Sequence, residues 1–167
     1  MTLAITTTTG QWHEARGRVL IHDFGTYTRS TAQVTPPTRT ATLDAVYTRD
    51  GVLVAVAEAK TRVSYDYATI AGYGSYLVTE DKLDTLLATG KALGVPSFLL
   101  TELSDGVRLY WPVGDANGHR VTGWTAAHSR TLATSVDTTT VVRRNAYLPM
   151  SCAVRWGRGL DIRQVGP

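Results

Sequence analysis

Thr42-Leu43-Asp44-Ala45-Val46-Tyr47-Thr48-Arg49-Asp50-Gly51-Val52-Leu53-Val54-Ala55-Val56-Ala57-Glu58-Ala59-Lys60 is the stretch that decides how this chain is read. Two β-rich runs, residues 42–48 and 52–60, flank Arg49-Asp50-Gly51, a hairpin signal. The second run alternates Val52, Val54, Val56, Glu58 and Lys60 with Leu53, Ala55, Ala57 and Ala59. Both faces are apolar until Glu58, the pattern of a strand covered on both sides. A carboxylate and an ammonium at the end of such a strand need a reason, since burying polar groups without partners is costly.

Side chains two apart on a strand point the same way, so Glu58 and Lys60 share a face. The facing of Asp44 depends on the turn. A two-residue turn at Asp50-Gly51 would pair Asp44 with Ala57 and direct it away from Glu58. A three-residue turn, with Gly51 left-handed, pairs Asp44 with Val56 and brings it onto the Glu58 face. The reading predicts the odd-length turn, or a bulge with the same effect. Two carboxylates meeting at one spot repel unless a proton or cation sits between them. Hard oxygen ligands suit Mg²⁺ or Mn²⁺, with water and a substrate phosphate completing the shell. Such a metal polarises a phosphoryl oxygen, acidifies water and templates an in-line attack. Lys60 beside it is placed to orient or deprotonate the water, or to offset charge building on the phosphorus. The plain alternative is a surface ion cluster at a sheet edge.

Around this stretch, residues 11–24 carry Trp12, Ala15, Val19, Leu20 and Phe24 at helical spacing, weakened by Gly17. Residues 28–40, with Pro36-Pro37, read as a loop, and 61–76, with Tyr65, Tyr67, Tyr73 and Tyr76 among glycines, as a loop or short irregular helix. A second helix starts after Thr79, with Glu80 and Asp81 at its positive end, a stripe of Leu83, Leu86, Leu87 and Leu93, and Gly94 then Pro96 as its stop. Residues 97–103 and 107–112 form a strand pair around Asp105-Gly106. Residues 114–140 read as a long polar connection with a strand near Val121; 141–156 return to strand-like composition, and 157–167 are a basic tail. The chain is read as an α/β single domain over residues 1–167, a mixed sheet flanked by two helices, with no internal repeat.

The 167 residues suffice for one core, and no apolar run approaches the ~20 residues needed to span a bilayer. No secretory signal shows in residues 1–6, and the lone Cys152 has no intrachain partner, so an intracellular, cytoplasmic location is expected. The net charge of +3 permits a polyanion partner without demanding one. Lysines are only three, Lys60, Lys82 and Lys91, which makes one at a chosen position less accidental. Arg143, Arg144, Arg155, Arg158 and Arg163 either track phosphates or form a solvated surface. The tyrosines read as packing residues before stacking platforms, the four histidines lack metal-ligand spacing, and Cys152 reads as a small buried hydrophobe.

Asp44, a hairpin, then Glu58-Ala59-Lys60 at the end of a buried strand resembles the core of the PD-(D/E)XK nuclease superfamily. The helix at 79–93 followed by a strand pair at 97–112 is similar to that fold's continuation, so the resemblance covers about residues 11–112, with 113–167 as an extension. The run Tyr73-Gly74-Ser75-Tyr76-Leu77-Val78-Thr79-Glu80-Asp81-Lys82 and Asn145-Ala146-Tyr147-Leu148-Pro149 resemble small phage-type members. The resemblance implies a restriction-endonuclease-like αβββαβ core and a metal held by Asp44, Glu58 and the Ala59 carbonyl, with Lys60 catalytic. It also implies a glutamate from the preceding helix, for which Glu14 is the only candidate, and a lysine opening the next helix, which Lys82 matches. Leu43 stands where the family name expects proline, a position widely replaced in the superfamily. The expected function is Mg²⁺-dependent hydrolysis of phosphodiester bonds in DNA by a metal-activated water, by a chain able to form a homodimer. The alternative is a non-catalytic nucleic-acid-binding or phage assembly module on the same fold.

Overall fold

The computed structural model describes residues 8–36, 43–132 and 139–157. Residues 1–6, Pro37, Thr42, Arg158 and Arg163, on which parts of the sequence reading fall, lie outside the described residues. The chain order is α1 (Thr8–Tyr27), β1 (Thr31–Val34), β2 (Ala45–Arg49), β3 (Val52–Thr61), α2 (Tyr67–Tyr73), β4 (Ser75–Thr79), α3 (Glu80–Leu93), β5 (Ser97–Glu102), β6 (Arg108–Gly114), β7 (Thr125–Leu132), β8 (Thr140–Pro149), a 3-10 turn (Met150–Cys152) and β9 (Val154–Trp156).

Six strands form one sheet in the order β1-β2-β3-β5-β6-β9. Within it only β3 and β5 run parallel, which requires a long crossover between them; residues 62–96, including α3, supply it. On one face Leu20, Ile21 and Phe24 of α1 pack against Ala45, Tyr47, Ala57, Leu100 and Trp156. On the other, Leu83 and Leu86 of α3 pack against Val56, Leu99, Leu109 and Trp111. The fold is therefore α/β with a mixed central sheet flanked by helices. With α2 and β4 set aside as part of the crossover, the order α1, β1, β2, β3, α3 and β5 matches the expected αβββαβ core.

The hairpin differs from the expected turn. Arg49 faces Val52 across a two-residue turn in which Asp50 and Gly51 have φ of 51° and 76°, the left-handed pair that a tight hairpin needs. The ladder then slips: Thr48 faces Leu53, but Tyr47 faces Ala55, leaving Val54 as an extra residue. The bulge interrupts the simple alternation, so Leu53 packs with Val56 on the α3 side while Val54 joins Ala55 on the α1 side. From there Ala45 faces Ala57, and Asp44, one step back, donates its N–H to the Ala57 carbonyl and lies within electrostatic reach of Glu58. The bulge does what the longer turn was expected to do.

The strand-like stretch 141–156 contains β8, and 61–76 contains a short helix, as expected; other elements go beyond the sequence reading. β1 lies inside the expected loop of residues 28–40, and β4, β8 and β7 build a second, antiparallel sheet. Near Val121 there is only a bridge between Gly114 and Arg120; the strand comes later, at β7. Tyr67–Tyr73 is a short helix capped by the Asp66 carboxylate. In α3, Thr79 takes the N-cap position without a side-chain cap bond, Gly94 closes the helix left-handed at φ 67°, and Leu93 is exposed rather than part of the buried stripe. Among the described residues no helix is long and apolar enough to cross a membrane.

Candidate active site

Glu58 lies on β3 with a relative exposure of 1%, although its neighbours there are apolar. Its charge is answered from two directions. Lys60, two residues on and on the same face, places Nζ 2.5 Å from Glu58 Oε1. Lys82, in the first turn of α3, places Nζ 3.3 Å from the same oxygen. Two of the three lysines of the chain thus converge on one carboxylate. A cation in the first turn of a helix opposes the dipole, so the carboxylate beneath it is the compensating partner.

Asp44 arrives from the residue before β2. Its backbone is fixed on both sides: its N–H donates to the Ala57 carbonyl at 3.0 Å, and its carbonyl accepts from the Thr35 N–H at 2.9 Å. Its carboxylate accepts the Ala59 N–H at 2.8 Å. Backbone groups of Val56 and Arg62 bond toward the β5 side, whereas those of Ala57 and Ala59 bond toward Asp44. Strand geometry therefore sends the Ala59 carbonyl to the Asp44 side as well, beyond the end of β2 at Ala45.

The electrostatics divide the two acids. Burial and then the Glu58 charge raise the Asp44 carboxyl above its ordinary range, against the pull of Lys60, the Ala59 N–H and Lys82. Burial alone would raise Glu58 too, but the charge and hydrogen bond of Lys60, followed by those of Lys82, hold it below its ordinary value. Burial works against the Lys60 ammonium, yet Glu58 and then Asp44 outweigh it and raise its pKa. Glu58 is well compensated and Asp44 is not.

This arrangement fits a divalent cation. The available donors are two carboxylates and a carbonyl, all hard oxygens, and Asp44 remains short of positive charge. Among the described residues no group of three or more His, Cys, Asp or Glu side chains converges, so any such ion there would depend on the carbonyl, water and substrate for its other ligands. Mg²⁺ tolerates that, since it keeps several waters.

Glu14 is not brought into this cluster. Its carboxylate pairs with Arg18 one turn further along α1 at 2.6 Å. Its neighbour His13 reaches Thr61 at the end of β3, Nδ1 to Oγ1 2.5 Å, with its pKa lowered by burial and by the Arg62 charge.

Arg62 was overlooked in the sequence, although the same two-residue step that links Glu58 to Lys60 continues to it. Its Nε donates to the Tyr76 hydroxyl at 3.0 Å and its Nη2 to the Leu77 carbonyl at 2.7 Å. Tyr76 is buried, stacks on Trp111 at 4.9 Å and shares a 3.0 Å hydrogen bond with Thr101, so it packs as expected. Tyr73, by contrast, is 66% exposed and meets the Tyr65 ring edge-on. Arg144 pairs with Glu80 at the start of α3, and Arg155 lies over the Tyr67 ring. Cys152 is exposed on the 3-10 turn rather than buried, because it follows the last buried residue of β8 instead of continuing the strand.

A second charged group lies on the α1 side of the sheet. Glu102, buried at the end of β5, binds both Arg16 and Arg108, and Arg108 also reaches Asp23 at 2.7 Å. It ties α1 to the sheet.

No family model matches the sequence, and neither does any curated protein. Among solved structures, the chain is similar to the 1.6 Å structure of Hjc from Archaeoglobus fulgidus, described as a Holliday junction resolvase from an archaeal hyperthermophile. The TM-score is 0.46 at 11% sequence identity, over 84% of this chain and 91% of that one.

Proposed function

We propose that this protein is a metal-dependent nuclease that hydrolyses phosphodiester bonds in DNA. The observation that carries the reading is the convergence of Glu58, Lys60 and Lys82 with Asp44 beside them, at the end of a strand covered on both faces. The order of helices and strands implied by the resemblance to PD-(D/E)XK nucleases supports it.

Asp44, Glu58 and the Ala59 carbonyl would hold Mg²⁺, or Mn²⁺ in its place. When bound, the ion supplies Lewis-acid polarisation of a phosphoryl oxygen and acidification of water. Lys60, an ammonium between two carboxylates, is suited to donate hydrogen bonds to a phosphate oxygen and offset the charge that builds on it. Lys82, on the solvent side of Glu58, is suited to receive the phosphate and to keep Glu58 ionised. Arg62 supports the wall behind Lys60 through Tyr76 and Leu77.

The test is incubation with plasmid, single-stranded and branched DNA in Mg²⁺, Mn²⁺ or EDTA. Cutting that needs metal, and that falls by at least about a hundredfold in Glu58→Ala and Lys60→Ala, is the expected result, because each removes a group acting on the reacting phosphate. A binding module without cleavage is the second reading. Its supporting observation is that Glu58 already has its charge closed by two lysines. Binding without cutting under every metal condition would establish it instead.

A further inference from the structure

The second sheet extends beyond the body of the protein. β4 pairs with β8 only from Thr79–Asn145 to Ser75–Pro149. From His128–Arg144 to Leu132–Thr140, β7 and β8 pair with each other alone. These five pairs make a two-stranded ribbon roughly 15 Å long at strand rise. Residues directly opposite in an antiparallel pair share a face, so His128, Arg130, Thr140, Val142 and Arg144 line one side. These five residues are exposed, Val142 at 64%. The described strands of the ribbon contain no Asp or Glu, and Arg130 makes no ion pair among the described residues.

The other side is tied down: Asn145 Nδ2 donates to Ser129 Oγ at 2.7 Å, and the Tyr147 hydroxyl bonds the same oxygen at 3.0 Å. The strands are thereby held in register from the buried end. The root of the ribbon meets the candidate site. Arg144 binds Glu80, the first residue of α3, and Lys82 two positions on reaches Glu58. A ribbon whose described strands carry arginines and no acid, with one open face, therefore begins one helical turn from the cluster.

We infer that this ribbon is the surface on which duplex DNA lies, its open face following the phosphates so that one is presented to Lys82 and Glu58. The inference rests on the nuclease reading for its substrate. A two-stranded ribbon fits the major groove of B-form DNA, whereas the deep, narrow groove of an RNA duplex does not admit one. Exposed Arg130, which has no ion pair among the described residues, supplies sequence-independent attraction, with exposed Arg144, paired to Glu80, beside the root.

The experiment measures binding in EDTA by fluorescence anisotropy, with a labelled DNA duplex, the single strand and the RNA duplex of the same sequence, over a salt series. Arg130→Glu and Val142→Glu, at two exposed positions on opposite strands, each weaken duplex binding, by roughly three- to tenfold for the loss of a phosphate contact. Arg130→Ala reduces the steepness of the salt dependence by about 1. Arg18→Glu, the same charge change as Arg130→Glu but on exposed α1, leaves affinity within about twofold, since no phosphate is placed there. Melting curves show that each variant is folded, and either ribbon variant suffices if the other is not. Unchanged affinity in a folded ribbon variant overturns the inference, as does absence of duplex binding in the unaltered protein or a preference for RNA. Because no turnover is involved, failure of the nuclease reading is seen separately, as ribbon-dependent binding with no metal-dependent cutting.

Discussion

Two glycines on the two main helices should respond oppositely to the same substitution. Gly→Ala inside a helix is favourable by about 1 kcal/mol where nothing interferes. Gly17 of α1 is such a place: a Cβ there would meet nothing within 4 Å. Gly90 of α3 is not. A Cβ there would lie 2.9 Å from the Val95 carbonyl oxygen and 3.1 Å from Ser97 Cβ. The carbonyl belongs to the turn leaving the helix, whose Val95 N–H is bonded back to the Gly90 carbonyl at 3.0 Å, so it has little room to yield. Overpacking of this kind costs about 1–3 kcal/mol and outweighs the propensity gain. Gly17→Ala should therefore stabilise by about 1 kcal/mol and Gly90→Ala destabilise by about 1 kcal/mol. For a chain of this size the pair should differ in Tm by about 4–8 °C. Urea titrations monitored by circular dichroism would give both values, with unchanged m-values showing that unfolding remains comparable. If Gly90→Ala is as stable as Gly17→Ala, close approach of α3 to the β5 entry is not what requires glycine there.

Two other outcomes follow from the charges. Mg²⁺ or Mn²⁺ at a hundred times its dissociation constant should add about 2.7 kcal/mol to stability, read as a Tm rise of roughly 5–10 °C. Asp44→Asn should abolish most of that rise, and an equal rise in both proteins would remove Asp44 from the metal site. Glu102→Gln should cost about 3 kcal/mol in urea titrations, the low end for breaking a buried ion pair, since Arg16 reaches solvent and Arg108 keeps Asp23; a loss under about 1 kcal/mol would show that the network adds little to holding α1.

The parts of the fold legible in the sequence are those where one physical signal dominates. β3 reads as a strand covered on both faces because its run is apolar on both sides, and α3 because a leucine stripe, acidic start and left-handed glycine agree. β1 has four residues and no apolar run, and β7 is Thr-Ala-Ala-His-Ser-Arg-Thr-Leu, so neither declares itself. Both exist because a neighbouring strand offers them backbone partners, a tertiary effect absent from local pattern. The Glu102 network was equally hidden, since Arg16 and Glu102 are 86 residues apart. Cys152 is exposed against expectation because the strand before it ends at Pro149.

The cluster itself shows how much depends on parity. Glu58 and Lys60 share a face from sequence alone, but Asp44 joins them only if the hairpin carries one residue out of step. The two-residue turn, taken alone, sends Asp44 the wrong way. Val54 supplies the missing step as a bulge, and the ladder beyond it is regular down to Ala45 and Ala57. The parallel pairing of β3 with β5 adds the remaining member. It forces the chain to cross over through α3, whose first turn comes down above the end of β3 with Lys82 on it. A helix start favours anions, and here it stands over Glu58, whose buried charge also needs the lysines. One bulge and one crossover thus bring together residues spread from 44 to 82, and neither device is specified by the charged residues it serves.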